Sequence, residues 1–172
     1  MKLHELKEAM QKKGTYAGVR FCDNTKNAIQ AYMDENNIPN MLDKEKLHST
    51  LLYSRKHCPD YQPAGPTNMV GTPNGFVVWN TQAPAGKEGE TSRCLVLKYD
   101  CPDLVKRHTS IRKEHGATHD YPDFTPHITL SYDIGDTDVD ALPDISKFLS
   151  QINIVHEYSE PLDLDWATAN TN

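Results

Sequence analysis

The sequence lacks a long apolar run: nothing approaches the ~18 consecutive residues that a membrane-spanning helix requires. Its first residues, MKLHELKEAMQKKG, contain no apolar segment of the kind a secretory signal needs, and Leu3, Leu6 and Met10 instead predict an amphipathic helix over residues 2–13. Cysteine is scarce. Cys22, Cys58, Cys94 and Cys101 include no C-x-x-C pair, so reduced thiols in a cytoplasmic protein are expected, not a disulfide framework or a zinc knuckle. Basic charge is also in short supply. Eighteen Lys and Arg against 24 Asp and Glu give a net charge of −6, which argues against binding long nucleic acid but not against a small anionic ligand in a local pocket. Lys87, in a Gly-rich turn, is not part of a G-x-x-x-x-G-K-[ST] phosphate loop. His115 and His119 stand four apart, a metal-ligating spacing on a helix, but Gly116 between them argues against that helix. No metal or other cofactor is expected.

What the sequence does have is two His-x-Thr triplets, His48-Ser49-Thr50 and His127-Ile128-Thr129, each inside a short run of strand-forming residues (LHSTLLY and HITLSY). Side chains alternate along a strand, so His and Thr two apart share a face, while Ser49 and Leu51, or Ile128 and Leu130, take the other. An imidazole beside a hydroxyl can move a proton and donate a hydrogen bond to an anionic oxygen. Two such pairs on one cleft would supply a general base, a general acid and oxyanion donors for phosphoryl transfer. His48, Thr50, His127 and Thr129 are therefore the candidate catalytic residues.

At 172 residues, 37% of them hydrophobic, the chain fits one ordinary domain. Tyr16 to Phe21 reads as a strand. Asp23 or Asn24 can cap a helix over Thr25 to Asn37, with Ile29, Tyr32 and Met33 as its apolar stripe. Residues 54–75, rich in Pro and Gly, predict a crossing loop. Strands follow at Gly75–Thr81 and Thr91–Tyr99, separated by a turn over Ala83–Gly89. A helix begins at Pro102 and ends near Gly116, and a polar loop over His119–Pro126 leads to the second triplet. A helix over Val139–Ser150, a strand over Gln151–Tyr158 and a tail over 161–172 complete the chain. Strand, helix and His-x-Thr strand thus occur twice in the same order. His48 lies 27 positions after Phe21, and His127 lies 28 after Tyr99. This matched spacing predicts an α+β fold with two pseudo-symmetric β-α-β halves, roughly residues 15–75 and 76–160, around a central cleft. Tyr16 and Trp79 are the candidate base-stacking aromatics.

Twin H-x-[ST] triplets about 80 residues apart, each on the strand closing a β-α-β half, resemble the 2H phosphoesterase superfamily. Within it, KLHSTLLYS and TPHITLSYD are similar to the active-site strands of the anti-CBASS family of T-even-like bacteriophages. The resemblance implies a bilobal fold with antiparallel sheets and cleavage of 3′–5′ linkages in cyclic di- or trinucleotide immune signals, for example 3′,3′-cyclic GMP-AMP. It places the protein in the host bacterial cytoplasm. It points again to Tyr16 and Trp79, and adds Glu160 and Trp166 as a C-terminal lid over the ligand, with Glu157 a competitor for the role of Glu160. Two other functions stay open. One is a 2′,3′-cyclic phosphodiesterase or 2′–5′ oligoadenylate hydrolase; the other is a non-catalytic protein that sequesters cyclic nucleotides.

Overall fold

The computed structural model describes residues 13–82 and 91–164. Most of the expected N-terminal helix, the turn after Gln82 and Trp166 in the tail lie outside these residues. The described chain is α+β, with strands β1 (Lys13–Phe21), β2 (Ser49–Ser54), β3 (Gly65–Gln82), β4 (Thr91–Asp100), β5 (His127–Ser131) and β6 (Ile152–Asp163), and helices α1 (Asp23–Glu35) and α2 (Pro102–His115). All strand pairs are antiparallel, in the order β2-β1-β6-β3-β4-β5.

β3 holds the sheet together. Its first part, Gly65–Gly71, pairs with β6, and Thr72–Gln82 pairs with β4. The boundary expected at residues 75/76 falls inside this strand, and the loop expected over 54–75 is extended from Gly65 onward. Proline breaks regular ladders because it lacks an N–H, but it is tolerated at bulges. The register shifts at Pro66/Met69 and again at Pro73/Gly75, where the strand absorbs its prolines.

β2 and β5 stand at opposite ends of the strand order, yet they meet. Ser49 Oγ donates to the His127 carbonyl at 2.6 Å, and Met41–Leu42 lies along β5, with Leu42 N donating to Leu130 O. The sheet therefore curves until its two triplet-bearing ends face each other.

Each helix braces a strand that does not adjoin it in sequence. In α1 the expected stripe is buried (Thr25, Ile29, Tyr32, Met33), and Tyr32 packs 5.5 Å from Phe76 of β3. Its N-cap is Cys22, whose side chain caps no backbone N–H, and not Asp23 or Asn24; Asp23 sits in the first turn, where its charge suits the helix dipole. In α2, Pro102 opens the helix and Gly116 closes it in the left-handed conformation. Buried His108 donates Nδ1–H to Leu51 O of β2.

Two further expectations give way. The helix expected over Val139–Ser150 is two 3-10 turns, Val139–Ala141 and Ile145–Lys147, capped by Asp138 and Asp144. Pro143 between them cannot continue a helix. Lys13, expected as the last residue of the N-terminal helix, opens β1 opposite Asp163, because β6 continues that far. All four cysteines are unpaired, three of them buried.

Candidate active site

The two triplets hold their histidines in the same way. His48 Nδ1 lies 2.9 Å from Lys46 O, and His127 Nδ1 lies 2.9 Å from Thr125 O, each two residues back along the chain. A carbonyl only accepts, so each Nδ1 carries the proton and each Nε2 is left to exchange one. Ile128 and Leu130 are fully buried on the opposite face of β5, and Ser49 and Leu51 on that of β2. The alternation that buries them turns the histidines and threonines toward the cleft side.

A cleft of about 720 Å³ opens here, walled by Thr50, Trp79 and His127 and by the 119–125 loop. Trp79, in register with Cys94, packs its indole edge-on against His127 with centroids 4.8 Å apart. Burial pushes the His127 pKa below the ordinary histidine value. The Thr125 carbonyl opposes that shift, and neighbouring His48 adds to it. His48 and Thr129 are half-buried and adjoin this wall through their triplets without lining the cleft itself.

Tyr16 reaches the site by its hydroxyl, 3.1 Å from Thr50 Oγ1. Burial raises the phenol well above its usual range, so it keeps its proton. Its ring tilts against Tyr158 at 6.2 Å. Glu160 pairs with Tyr16 across β1 and β6 and is exposed. Glu157 is another matter. It is wholly buried, and its carboxylate accepts from Arg107 Nε and Nη2, Tyr61 Oη and Ala64 N. Burial alone would raise its pKa; these donors outweigh burial and hold it below the carboxylate norm. Glu157 is thus committed to the fold, whereas Glu160 is exposed beside Tyr16 and does not line the cleft. Trp166 lies outside the described residues.

Three features of the site escape sequence reasoning. The first is a buried relay in which Tyr99 Oη donates to Ser49 Oγ (2.7 Å) and Ser49 Oγ donates to the His127 carbonyl, tying the middle of one triplet to the head of the other. Its signal was a serine at the position where the second triplet has isoleucine: a polar side chain on a buried face needs a partner. The second is Tyr53, three residues beyond Thr50 on β2, which also lines the cleft. The third is the 119–125 loop, whose polar letters gave no sign of its place in the wall. His119 packs on His108 and Phe124, whereas His115 packs on Tyr61, so the two histidines of the HGATH segment engage different partners. Among the described residues no group of three His, Cys, Asp or Glu is arranged to hold a metal ion, and no helix is long and apolar enough to cross a membrane.

The described chain is thus an α+β domain with two carbonyl-backed histidines at the meeting ends of one antiparallel sheet. The comparison with known sequences is specific. Residues 13–169 match the Anti-CBASS protein Acb1 family. The chain is 36% identical over 166 residues to the Anti-CBASS protein Acb1 of Vibrio phage KVP40, covering 96% of this chain and 99% of that one. It is 38% identical over 154 residues to that of Enterobacteria phage T4 (90% and 91%), and 39% over 154 residues to that of Yersinia phage phiR1-RT (90% and 92%). The chain belongs to the anti-CBASS protein Acb1 family.

Proposed function

We propose that this protein is a metal-independent phosphodiesterase of the 2H superfamily that cleaves 3′–5′ linkages in cyclic di- or trinucleotide signals. It would act in the cytoplasm of the host bacterium and so let a phage escape CBASS defence. The observation that carries the reading is the paired imidazoles, each with Nδ1–H fixed on a carbonyl and Nε2 available. Membership in a family named for countering CBASS supplies the class of signal.

In-line cleavage needs a base on the nucleophile, an acid on the leaving oxygen and stabilisation of the equatorial oxygens. His127, whose burial disfavours its charged form, is the base. Its Nε2 takes the proton of the 2′-OH, O2′ attacks phosphorus, and the departing 5′ oxygen receives a proton from His48 Nε2. The break leaves a 2′,3′-cyclic phosphate end. Because the nucleophile belongs to the same nucleotide, much of the entropic barrier is already removed. Thr50 and Thr129 donate to the phosphate oxygens, each bond contributing roughly 1.5–3 kcal/mol. With the Tyr16 hydroxyl as the donor of its bond to Thr50, the threonine proton is left for the phosphate. Tyr16 and Trp79 flank a base, with Glu160 accepting from its edge.

The test is incubation with cyclic dinucleotides, cyclic trinucleotides and linear 2′–5′ oligoadenylates in EDTA, alongside His48→Ala and His127→Ala. The expected result is cleavage of the cyclic ligands, undiminished by chelation and reduced at least a hundredfold in both variants. Activity abolished by EDTA and restored by a divalent metal would overturn the mechanism. Preference for the linear oligoadenylates would move the substrate to the 2′–5′ class, and tight binding without turnover would make the protein a sequestering one.

A further inference from the structure

The proposed chemistry uses one phosphate and one base, yet the cleft continues past them. Tyr53 lies three residues along β2 from Thr50, about 10 Å at ~3.3 Å per residue, and lines the same cleft as Tyr121. Tyr121 is 72% exposed, more than any other large hydrophobic among the described residues. An aromatic ring left in water forgoes the gain of burial. This one is not on a loose segment. Arg55 grips neighbouring Asp120 through Nε and Nη2 at 2.9 and 3.0 Å. His119 Nε2 donates to Asp123 O at 3.1 Å, and Phe124 stacks flat on buried His108, centroids 4.1 Å apart and 6° from parallel. The Tyr121 ring itself stands edge-on to His119 at 6.0 Å. The loop is fastened on both sides of an aromatic that it holds out over the cleft.

Building on the cyclic-oligonucleotide reading, we infer that the Tyr53–Tyr121 end of the cleft is a stacking subsite for a second nucleobase. The bases of a cyclic dinucleotide project from opposite sides of its sugar-phosphate ring. A ligand with one phosphate at the histidine pair and one base at Tyr16 and Trp79 carries its other base away from them along this wall. Ring stacking accepts any base and asks only for a flat, accessible, fixed aromatic face. The Arg55–Asp120 pair, with the guanidinium 5.9 Å from the Tyr53 ring centre, closes that end and offers polar edges beside the stack.

The experiment compares a cyclic di-purine nucleotide with the analogue in which one base is replaced by an abasic sugar, reading kcat/KM for cleavage and Kd by calorimetry. Tyr121→Ala should lose roughly tenfold on the two-base ligand and less than twofold on the abasic one, while Tyr121→Phe, which keeps the ring, should match the intact protein. Equal losses on both ligands would make Tyr121 a prop for the loop and overturn the subsite, as would no loss on either. Calorimetry needs no turnover. Tyr121-dependent binding without cleavage would sink the enzymatic reading alone, and cleavage without Tyr121 dependence would sink the subsite alone.

Discussion

His127 is the residue on which most of the site's physics converges. Its Nδ1 is fixed by Thr125, its carbonyl by Ser49, its ring face by Trp79 and its proton affinity by burial. A base with a lowered pKa stays neutral to lower pH than free imidazole, whose pKa is ~6.5. The acid limb of the kcat/KM profile should therefore fall below that value, with activity lost as pH drops and the ring protonates. Trp79→Ala opens the ring to water and should move this limb back up toward ~6.5, whatever it does to substrate affinity; an unmoved limb would assign it to another group. Ser49→Ala tests the relay. It strands the buried Tyr99 hydroxyl, at a cost of about 1–3 kcal/mol in stability, and loosens the His127 backbone. The expected readout is a fall in kcat beyond that of Tyr99→Phe, measured where both variants are folded.

At the scale of elements, the lie of the Tyr158 phenol across β1 depends on a missing side chain. A Cβ at Gly18 would lie 2.5 Å from the Tyr158 hydroxyl and 2.6–2.9 Å from its ring, and Tyr158 in turn borders Tyr16 and carries the Arg20 guanidinium 4.8 Å over its face. Gly18→Ala should cost roughly 1–3 kcal/mol and lower kcat/KM by tilting Tyr16 off Thr50. Denaturant melts and kinetics on the same preparation check both. The elements also mark how far the sequence could be read. The helices were legible because α1 keeps an apolar stripe at Ile29, Tyr32 and Met33, and α2 announces its ends with Pro102 and Gly116. Both triplets fell where periodicity put them, at the entrances of β2 and β5. β3 was hidden because Pro66 and Pro73 look like loop residues until bulges and a long partner accommodate them. The run from Val139 to Ser150 misled in the other direction: its apolar spacing suits a helix, and one proline decides otherwise. The cleft wall at 119–125 could not be read, because its shape comes from contacts with Arg55 and His108, more than ten residues away and on other elements.

For the molecule as a whole, Glu157 is the joint. One buried carboxylate on β6 gathers Arg107 from α2 and the Tyr61–Ala64 segment that precedes β3. Removing one partner of such a pair leaves the other uncompensated, so Glu157→Ala should cost about 3 kcal/mol without touching the cleft. The pH dependence has a definite sign. A carboxylate with a depressed folded pKa contributes stability above its unfolded value of 4.5, and that contribution is lost as pH falls through the folded value. The intact protein should therefore lose stability on acidification below 4.5 more steeply than Glu157→Gln. Thermal melts across that window check it, and parallel curves would show that the carboxylate's charge is immaterial.

The curvature that brings β2 to β5 has a further consequence. A sheet's outermost strands carry unpaired backbone groups that can template the addition of a foreign chain, a route to aggregation that proteins must block. Here the Met41–Leu42 segment takes up hydrogen bonds along β5, Thr118 exchanges bonds with Ser54 and Arg55 at the end of β2, and the strands occupy each other's flank through Ser49. The contacts that draw the two histidines together also cover these borders, so the bonds that assemble the site take up backbone groups that a foreign strand would need.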